Sequence, residues 1–424
     1  MGIIQLKEAN CKNCYKCIRE CPVKAISFKN EQAQVIDKEC ILCGRCILAC
    51  PQNAKQVVSD LDHVKDLLRG RNKVYVSLAP SFASYFKGAD INGMTAALKR
   101  LGFVQVEETA VGAAKVSAEY EKLLADGRMK NIITTACPTV VLLVEKYYPD
   151  LLDQLAPVVS PMMAHAISLR KLYGNHIKIV FIGPCISKKY EADDILSGGA
   201  VNAAVTFDEL RMWLEEEDIS ISPESAPVRY VRSNARFYPI PGGIIGTIPK
   251  AKRKKYKSIG IDGVDRCMDI LDSIRNGEVT KYFIEMNACP GACLGGPCMK
   301  SEKISFIGAR DHLTQNAKQP CEETEYKTSA VEADLSKKFI DRSNILPMPS
   351  EAQISEILSR IGKTRPEQEL NCGGCGYPTC RDKAIAVYQG KADPKMCLPF
   401  VRERAESISN LIIDYTPNAI IALG

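Results

Sequence analysis

Apolar and β-branched residues concentrate in three short runs, Lys73 to Leu78, Asn131 to Thr135 and Ile177 to Ile182, and each gives way to a loop carrying proline, cysteine or both. Between them, apolar positions recur at helical spacing over Met94 to Leu101, Ala114 to Ala125 and Val140 to Tyr148. Strand and helix alternating from about Asn72 to Arg310 predict an α/β architecture with parallel sheets, whose ligands gather at the carboxyl ends of strands. From Ser301 to Glu367 the pattern turns polar and irregular, interrupted by Asn344-Ile345-Leu346-Pro347-Met348-Pro349 and a short amphipathic helix, Glu351 to Ile361. That stretch reads as a connector packed on the surface. A last helix, Val401 to Asp414, carries apolar residues at Ile408, Leu411 and Ile412. With 424 residues one core is too few, and the patterning divides the chain into 1–60, 70–310, a connector 311–365, 366–400 and 401–424. No apolar run reaches the roughly 18 residues of a membrane span.

Composition adds a compartment and removes some partners. Hydrophobic residues make up 46% of the chain, as in a globular protein, and the net charge of +6 is weak for this length. The densest basic run, Lys250 to Lys255, has no aromatics interleaved with it and reads as a solvated loop rather than a nucleic-acid site. The 19 cysteines fall in clusters, which suits either a disulfide scaffold or a metal protein. Met1 to Lys16 holds charges, asparagine and cysteine in place of a signal peptide, and Leu6 stands where myristoylation wants Ser or Thr. A reducing, cytoplasmic setting and metal-bound thiols are therefore expected.

Cys11, Cys14, Cys17, Cys21 and Pro22 spell C-x2-C-x2-C-x3-C-P, and Cys40, Cys43, Cys46, Cys50 and Pro51 repeat it. This is the two-cluster ferredoxin signature. Three close thiolates reach one cubane, and a helical turn carries the fourth to the other. One cluster is expected on Cys11, Cys14, Cys17 and Cys50, the other on Cys40, Cys43, Cys46 and Cys21. Zinc is the alternative, though it favours isolated CxxC pairs.

Four further cysteines sit in three separated motifs. They are Thr134-Thr135-Ala136-Cys137-Pro138, Gly183-Pro184-Cys185-Ile186-Ser187-Lys188-Lys189-Tyr190-Glu191, and Glu285 to Pro297 with Cys289 and Cys293. Four thiolates suffice for another cubane. Buried thiols would explain any one of them, but less well why all four are loop residues flanked by proline and glycine. Together these segments resemble the three signature motifs of the [FeFe]-hydrogenase large subunit. The resemblance implies a cubane held by Cys137, Cys185, Cys289 and Cys293, with Cys293 bridging to a two-iron subcluster bearing CO, cyanide and a dithiolate amine. It also implies that Lys188 holds a cyanide and that Ala79-Pro80-Ser81 lies beside the dithiolate.

The chain departs from that family at several positions. Where fast members carry a proton-relaying cysteine, Ala136 stands, and an alanine methyl cannot exchange a proton. Gly183 and Asn287 occupy positions where the family has methionine. Cys298 reads either as a substitute proton donor or as a plain buried thiol. Glu119 and Glu121 lie near where the family places relay carboxylates, although solvated helix charges account for them as well. These departures resemble those of the sensory branch of the same family, in which activity is low.

Near the end, Cys372, Cys375 and Cys380 form CxxC-x4-C, followed by Cys397. This resembles a small cubane-binding domain, with zinc the alternative. Four [4Fe-4S] clusters would use sixteen cysteines, leaving Cys267, Cys298 and Cys321 unassigned. Tyr415 to Leu423 resembles the opening of a PAS sensory domain, which predicts a chain truncated before it; these are otherwise merely terminal residues. Three readings follow. The first is a hydrogen sensor with slow, reversible activity toward H2 and protons, exchanging electrons with a partner such as ferredoxin and signalling to a downstream protein, as monomer or homodimer. The second is a catalytic hydrogenase with a rerouted proton path, and the third an electron-transfer protein without the two-iron unit.

Overall fold

The computed structural model describes residues 2–70, 72–222, 234–299, 305–318 and 327–415. Cys321 and the PAS-like stretch from Thr416 onward lie outside them. The chain divides into two compact units, one comprising 41–44 and 57–343, the other 2–40, 45–56 and 344–424.

The second unit joins the two ends of the chain. Its N-terminal part pairs β1 (Ile4–Leu6) with β4 (Lys55–Val57), and a hairpin pairs β2 (Ile26–Lys29) antiparallel with β3 (Gln32–Val35), Ile26 opposite Val35. Short helices Lys16–Glu20 and Arg45–Ala49 carry Cys17 and Cys46. In its C-terminal part, helices Glu351–Ser359 and Cys380–Tyr388 bury Ile354, Ile357 and Leu358 against Ala384 and Cys397. Both helices start from capping boxes, Ser350 with Gln353 and Thr379 with Asp382, which satisfy amides the first turn leaves open. The two parts are stitched together: Arg19 Nη1 donates to the Gly374 carbonyl at 2.9 Å, the Phe28 amide to the Lys391 carbonyl at 2.7 Å, and Lys391 Nζ meets Glu39 Oε2 at 2.5 Å. Gly376 makes the closest approach. Its φ is +97°, and a Cβ there would stand 2.7 Å from Ile18, so only glycine fits. Helix Leu398–Tyr415 leaves Ile408, Leu411 and Ile412 exposed along its length.

The first unit is α/β, with two parallel sheets. β5 (Val74–Leu78), β6 (Gln105–Glu108), β8 (Lys178–Gly183) and β9 (Ala203–Thr206) form one in the order β6-β5-β8-β9. β7 (Ile132–Ile133), β10 (Lys257–Asp262) and β11 (Tyr282–Asn287) form the other in the order β10-β11-β7. Every residue of β5 is buried, as expected of a strand covered on both faces, with Ser77 the polar exception in its run. Helices Ala110–Asp126 and Pro161–Tyr173 pack against each other, and Val116, Tyr120, Met162 and Leu169 enter the core.

The connector is more structured than its polarity suggests. Phe306–Lys318 is a helix, Leu335 enters the main core, and Ser336 bridges antiparallel to Val158, so the chain belongs to this unit through Ser343. Sparse apolar residues gave no periodicity to read, yet a few anchors suffice once a core is already built. Likewise Lys250–Arg253 is a 3₁₀ turn rather than an open loop, with Lys252 Nζ on Glu121 Oε2 at 2.5 Å.

Candidate metal centre

Four strand ends converge in the first unit. β5 leads into Ala79-Pro80-Ser81, β7 into Thr134 to Pro138, β8 into Pro184 and Cys185, and β11 into Cys289 and Cys293. Parallel strands send all their carboxyl ends to one side, where they leave a crevice that neighbouring loops line. Cys137 is fixed further as the residue preceding helix Pro138–Tyr147, whose first position is a proline already set at helical φ.

These loops enclose two adjoining cavities. Cys137, Cys185, Cys289 and Cys293 all line the smaller, with Cys43 also in its wall. Ala79, Pro80, Ser81, Ala136 and Lys188 line the larger, which shares Cys137, Cys185, Cys293 and Asn287 with the first. All four central cysteines are free thiols. Burial, followed by the proximity of the others, pushes the thiols of Cys289 and Cys293 well above the ordinary range, and Cys137 is raised by burial and by Cys185. Crowded buried thiols of this kind do not ionise together without positive charge between them, which an iron–sulfur cubane supplies.

The larger cavity fits a compact group with an apolar outside and an anionic edge. Its walls are mostly alanine, proline, methionine and phenylalanine. Ser81 Oγ is buried with no hydrogen-bond partner among the described residues, an orphan that a bound group would satisfy. Lys188 contributes the cation. Its Nζ meets Glu191 Oε2 at 2.7 Å and lies 3.4 Å from the Ala136 carbonyl. Glu191 is buried, and burial alone would raise its pKa; Lys188, Lys337 and hydrogen bonds from Lys188 and Ser160 override that and hold the carboxyl below its usual range. A charged buried carboxylate thus anchors the ammonium.

The departures have structural counterparts. A Cβ at Gly183 would lie 2.5 Å from the Phe181 ring and 3.0 Å from the Ala79 Cβ, and Phe181 itself lines the larger cavity. The phenyl ring takes space that a longer side chain at 183 would need. Asn287 turns its amide to Glu285 Oε1 at 3.2 Å, and Glu285 accepts from the Gly242 and Ile245 amides, each at 2.9 Å. Cys298 is buried, its thiol pushed up chiefly by burial, and it lines neither cavity. Glu119 pairs with Lys122 at 2.7 Å and Glu121 with Lys252, and neither lines the cavities.

Buried polar groups near the site leave only a faint mark in the sequence. Glu108, at the end of β6, is fully buried; Arg236 binds its Oε2 at 2.6 and 3.0 Å while Oε1 has no partner among the described residues, and burial keeps its carboxyl raised. Glu107 meets His165 Nε2 at 3.2 Å. The adjacent acidic pair at the end of a β-rich run was the available clue, because a strand buried on both faces leaves no place for an unpaired carboxylate.

The other cysteines also gather as sets. Burial, with smaller contributions from Cys14, Cys50 and Cys11 and against the opposing charge of Lys55, pushes the Cys17 thiol up to about 11. Cys372, Cys375, Cys380 and Cys397 line a single small cavity with Tyr377 and Lys383. Cys21, Cys40 and Cys46 lie in the second unit, Cys43 in the first. Cys267 is buried, its thiol donating to the Asn287 carbonyl at 3.5 Å. Full reconstitution is expected to give about sixteen irons in cubanes per chain. Iron and sulfide analysis at eight or twelve would remove one or two of these sites.

Residues 72–297 match the family described as iron only hydrogenase large subunit, C-terminal domain; residues 3–51 match a 4Fe-4S dicluster domain and 368–399 an Fe-S cluster family. Iron hydrogenase 1 of Clostridium pasteurianum is 26% identical over 368 residues, 69% of this chain and 64% of that protein, so the match spans less than two thirds of it. The cytosolic Fe-S cluster assembly factor NAR1 of Yarrowia lipolytica is 25% identical over 228 residues, 47% of this chain and 46% of its own length. An [FeFe]-hydrogenase structure from Chlamydomonas reinhardtii shares the fold at 18% identity, with a TM-score of 0.50 over 60% of this chain and 88% of that one.

Proposed function

The chain belongs to the iron-only hydrogenase large-subunit family, and on that premise we propose that it binds hydrogen at a two-iron unit in the larger cavity and turns it over slowly, as a sensor. Cys293, shared by both cavities, would bridge that unit to a cubane on Cys137, Cys185 and Cys289. Lys188, fixed by Glu191, would hold an anionic ligand, and the Ser81 hydroxyl would find its missing partner there. When bound, the two-iron unit supplies the open metal position at which hydrogen is split or formed. The protein's own part is to keep that position dry, which the alanines, prolines, Met162 and Phe181 do, and to bring protons and electrons to it.

One observation carries the sensing reading: at Ala136 the cavity wall ends in a methyl group. Apart from the thiols expected to bind iron, its ionisable residues are Lys188, committed to Glu191, and Tyr238, whose burial puts its pKa far above neutrality. A missing relay typically costs 10² to 10⁴ in rate, which still allows hydrogen to bind and change the redox state. The cubanes of the second unit would carry electrons to a partner such as ferredoxin, and the helix Leu398–Tyr415 would pass the state to an output protein in the cytoplasm. The experiment is the infrared spectrum of matured protein under hydrogen and under argon, with turnover measured in parallel. Bands of CO and cyanide that shift with hydrogen, at turnover well below that of fast hydrogenases, are expected. Fast turnover would favour the rerouted catalytic reading. Absence of the bands would favour electron transfer through cubanes alone, a reading that the similarity to a protein named as an assembly factor keeps in play.

A further inference from the structure

The larger cavity has a polar exit that does not pass through position 136. Thr109, which follows β6, lines the cavity. Its hydroxyl lies 2.8 Å from Ser77 Oγ on β5; Ser77 Oγ lies 2.8 Å from His165 Nδ1; and His165 Nε2 lies 3.2 Å from Glu107 Oε2. Ser77, His165 and Glu107 are each no more than 1% exposed, in the middle of the hydrophobic core. Beyond them, Glu107 Oε1 accepts from Gln105 Nε2, which lies 3.2 Å from the Tyr173 hydroxyl, and both of these side chains are half-buried. Thr328 donates to Glu107 Oε2 from the other side. The result is a continuous file of hydrogen-bonded groups from the cavity wall to Glu107, whose carboxylate Gln105 and Thr328 hold from the far side.

We propose that Thr109, Ser77, His165 and Glu107 form a slow proton path of this protein, entered through two weakly acidic hydroxyls in place of the thiol absent at Ala136. Each member can accept one proton while giving up another. A proton leaving the cavity arrives at His165 Nδ1 through the two hydroxyls, the proton on Nε2 moves to the Glu107 carboxylate, and the Thr328 hydroxyl against Glu107 Oε2 is the group that can take it on, since the Gln105 amide only holds Oε1. Nothing is oxidised, and one proton enters for each that leaves. The histidine is central because it alone offers two nitrogens that reach opposite partners and titrates near neutrality in water. A purely structural network could hold β5, β6 and the helix Pro161–Tyr173 together with amides and hydroxyls. It would have no need of an imidazole and a carboxylate in series, each of which is expensive to bury.

This inference rests on the hydrogen-binding reading, and the experiment separates the two. Matured protein is incubated with hydrogen gas in deuterated water, and formation of the mixed isotope is followed by mass spectrometry, since it requires solvent protons to reach the iron. Glu107→Gln preserves shape and hydrogen bonding but cannot carry a proton. Ser77→Ala severs the path at its inner end without touching a buried ionisable group, and so serves if Glu107→Gln fails to fold. Each is expected to slow exchange by tenfold or more while the CO and cyanide bands keep their positions. In difference spectra between hydrogen and argon, a protonated-carboxyl band is expected that shifts in deuterated water and is missing from Glu107→Gln. Exchange unchanged in both variants overturns the path, as does exchange that survives them and falls on Tyr238→Phe. Absence of CO and cyanide bands from the unmutated protein overturns the hydrogen-binding reading, and the path with it.

Discussion

Cys293→Ala is expected to remove every CO and cyanide band from matured protein while the three cubanes outside the central site remain, about twelve irons per chain. Cys137 and Cys185 also line both cavities, and their loss is expected to act through the cubane they help to hold. Cys289 lines only the smaller cavity, whereas Cys293 lines both, so its sulfur alone among that pair can touch a group in each. Retention of the full set of bands in Cys293→Ala would show that the two-iron unit is held elsewhere. Lys188→Met should act differently. It strips Glu191 of its 2.7 Å partner and leaves Lys337 at 3.9 Å and the Ser160 hydroxyl at 2.9 Å. Breaking a buried ion pair on one side costs about 3–5 kcal/mol, less here because those two groups remain. Lowered thermal stability together with weakened bands is therefore expected, and bands at full strength would show that the ammonium serves only Glu191.

Ala136→Cys is expected to raise hydrogen oxidation and evolution by about tenfold, short of the 10² to 10⁴ that a relay can contribute. The gain should appear because position 136 lines the cavity and the thiol would stand next to Cys137, where it could pass a proton. It should stay partial because Phe181 fills the space above Gly183 and Asn287 is tied to Glu285, so the surroundings are not those of a fast member of the family. Ala136→Ser, with a far less acidic hydroxyl, should recover little. Adding Cys298→Ala should leave the rate where Ala136→Cys puts it, since Cys298 lines neither cavity. A large fall on that addition would make Cys298 a relay despite its position, and an unchanged rate in Ala136→Cys with intact bands would mean that proton delivery is not limiting.

What the sequence determined by itself was the chemistry and its order along the chain. Iron–sulfur clusters need thiolates at spacings that a short loop can close, so C-x2-C-x2-C-x3-C and its repeat, or Cys289 and Cys293, declare themselves in a few consecutive residues. Parallel strands buried on both faces are continuous apolar runs, which is why β5, β7 and β8 were legible to within about two residues, and why the motif cysteines could be assigned to their carboxyl ends. That alanine stands at position 136, beside Cys137, is equally local.

Tertiary structure alone decided which distant groups meet. The C-terminal cysteine domain packs on the N-terminal ferredoxin-like part through Gly376 against Ile18, contacts more than 350 residues apart that neither segment announces. The connector looked irregular because its anchors, Leu335 among them, are single apolar residues inserted into a core made by others. Ala79 of the β5 loop comes within 3.0 Å of where a Gly183 Cβ would stand, 104 positions further along the chain. The file from Thr109 to Glu107 draws on two strands, a loop and a helix, with 88 residues between Ser77 and His165. A hydrophobic period records which face of an element is buried, but a buried polar side chain is tolerated only where a partner from elsewhere satisfies it. That partner is fixed by the packing of whole elements, and it leaves no mark in the residues on either side.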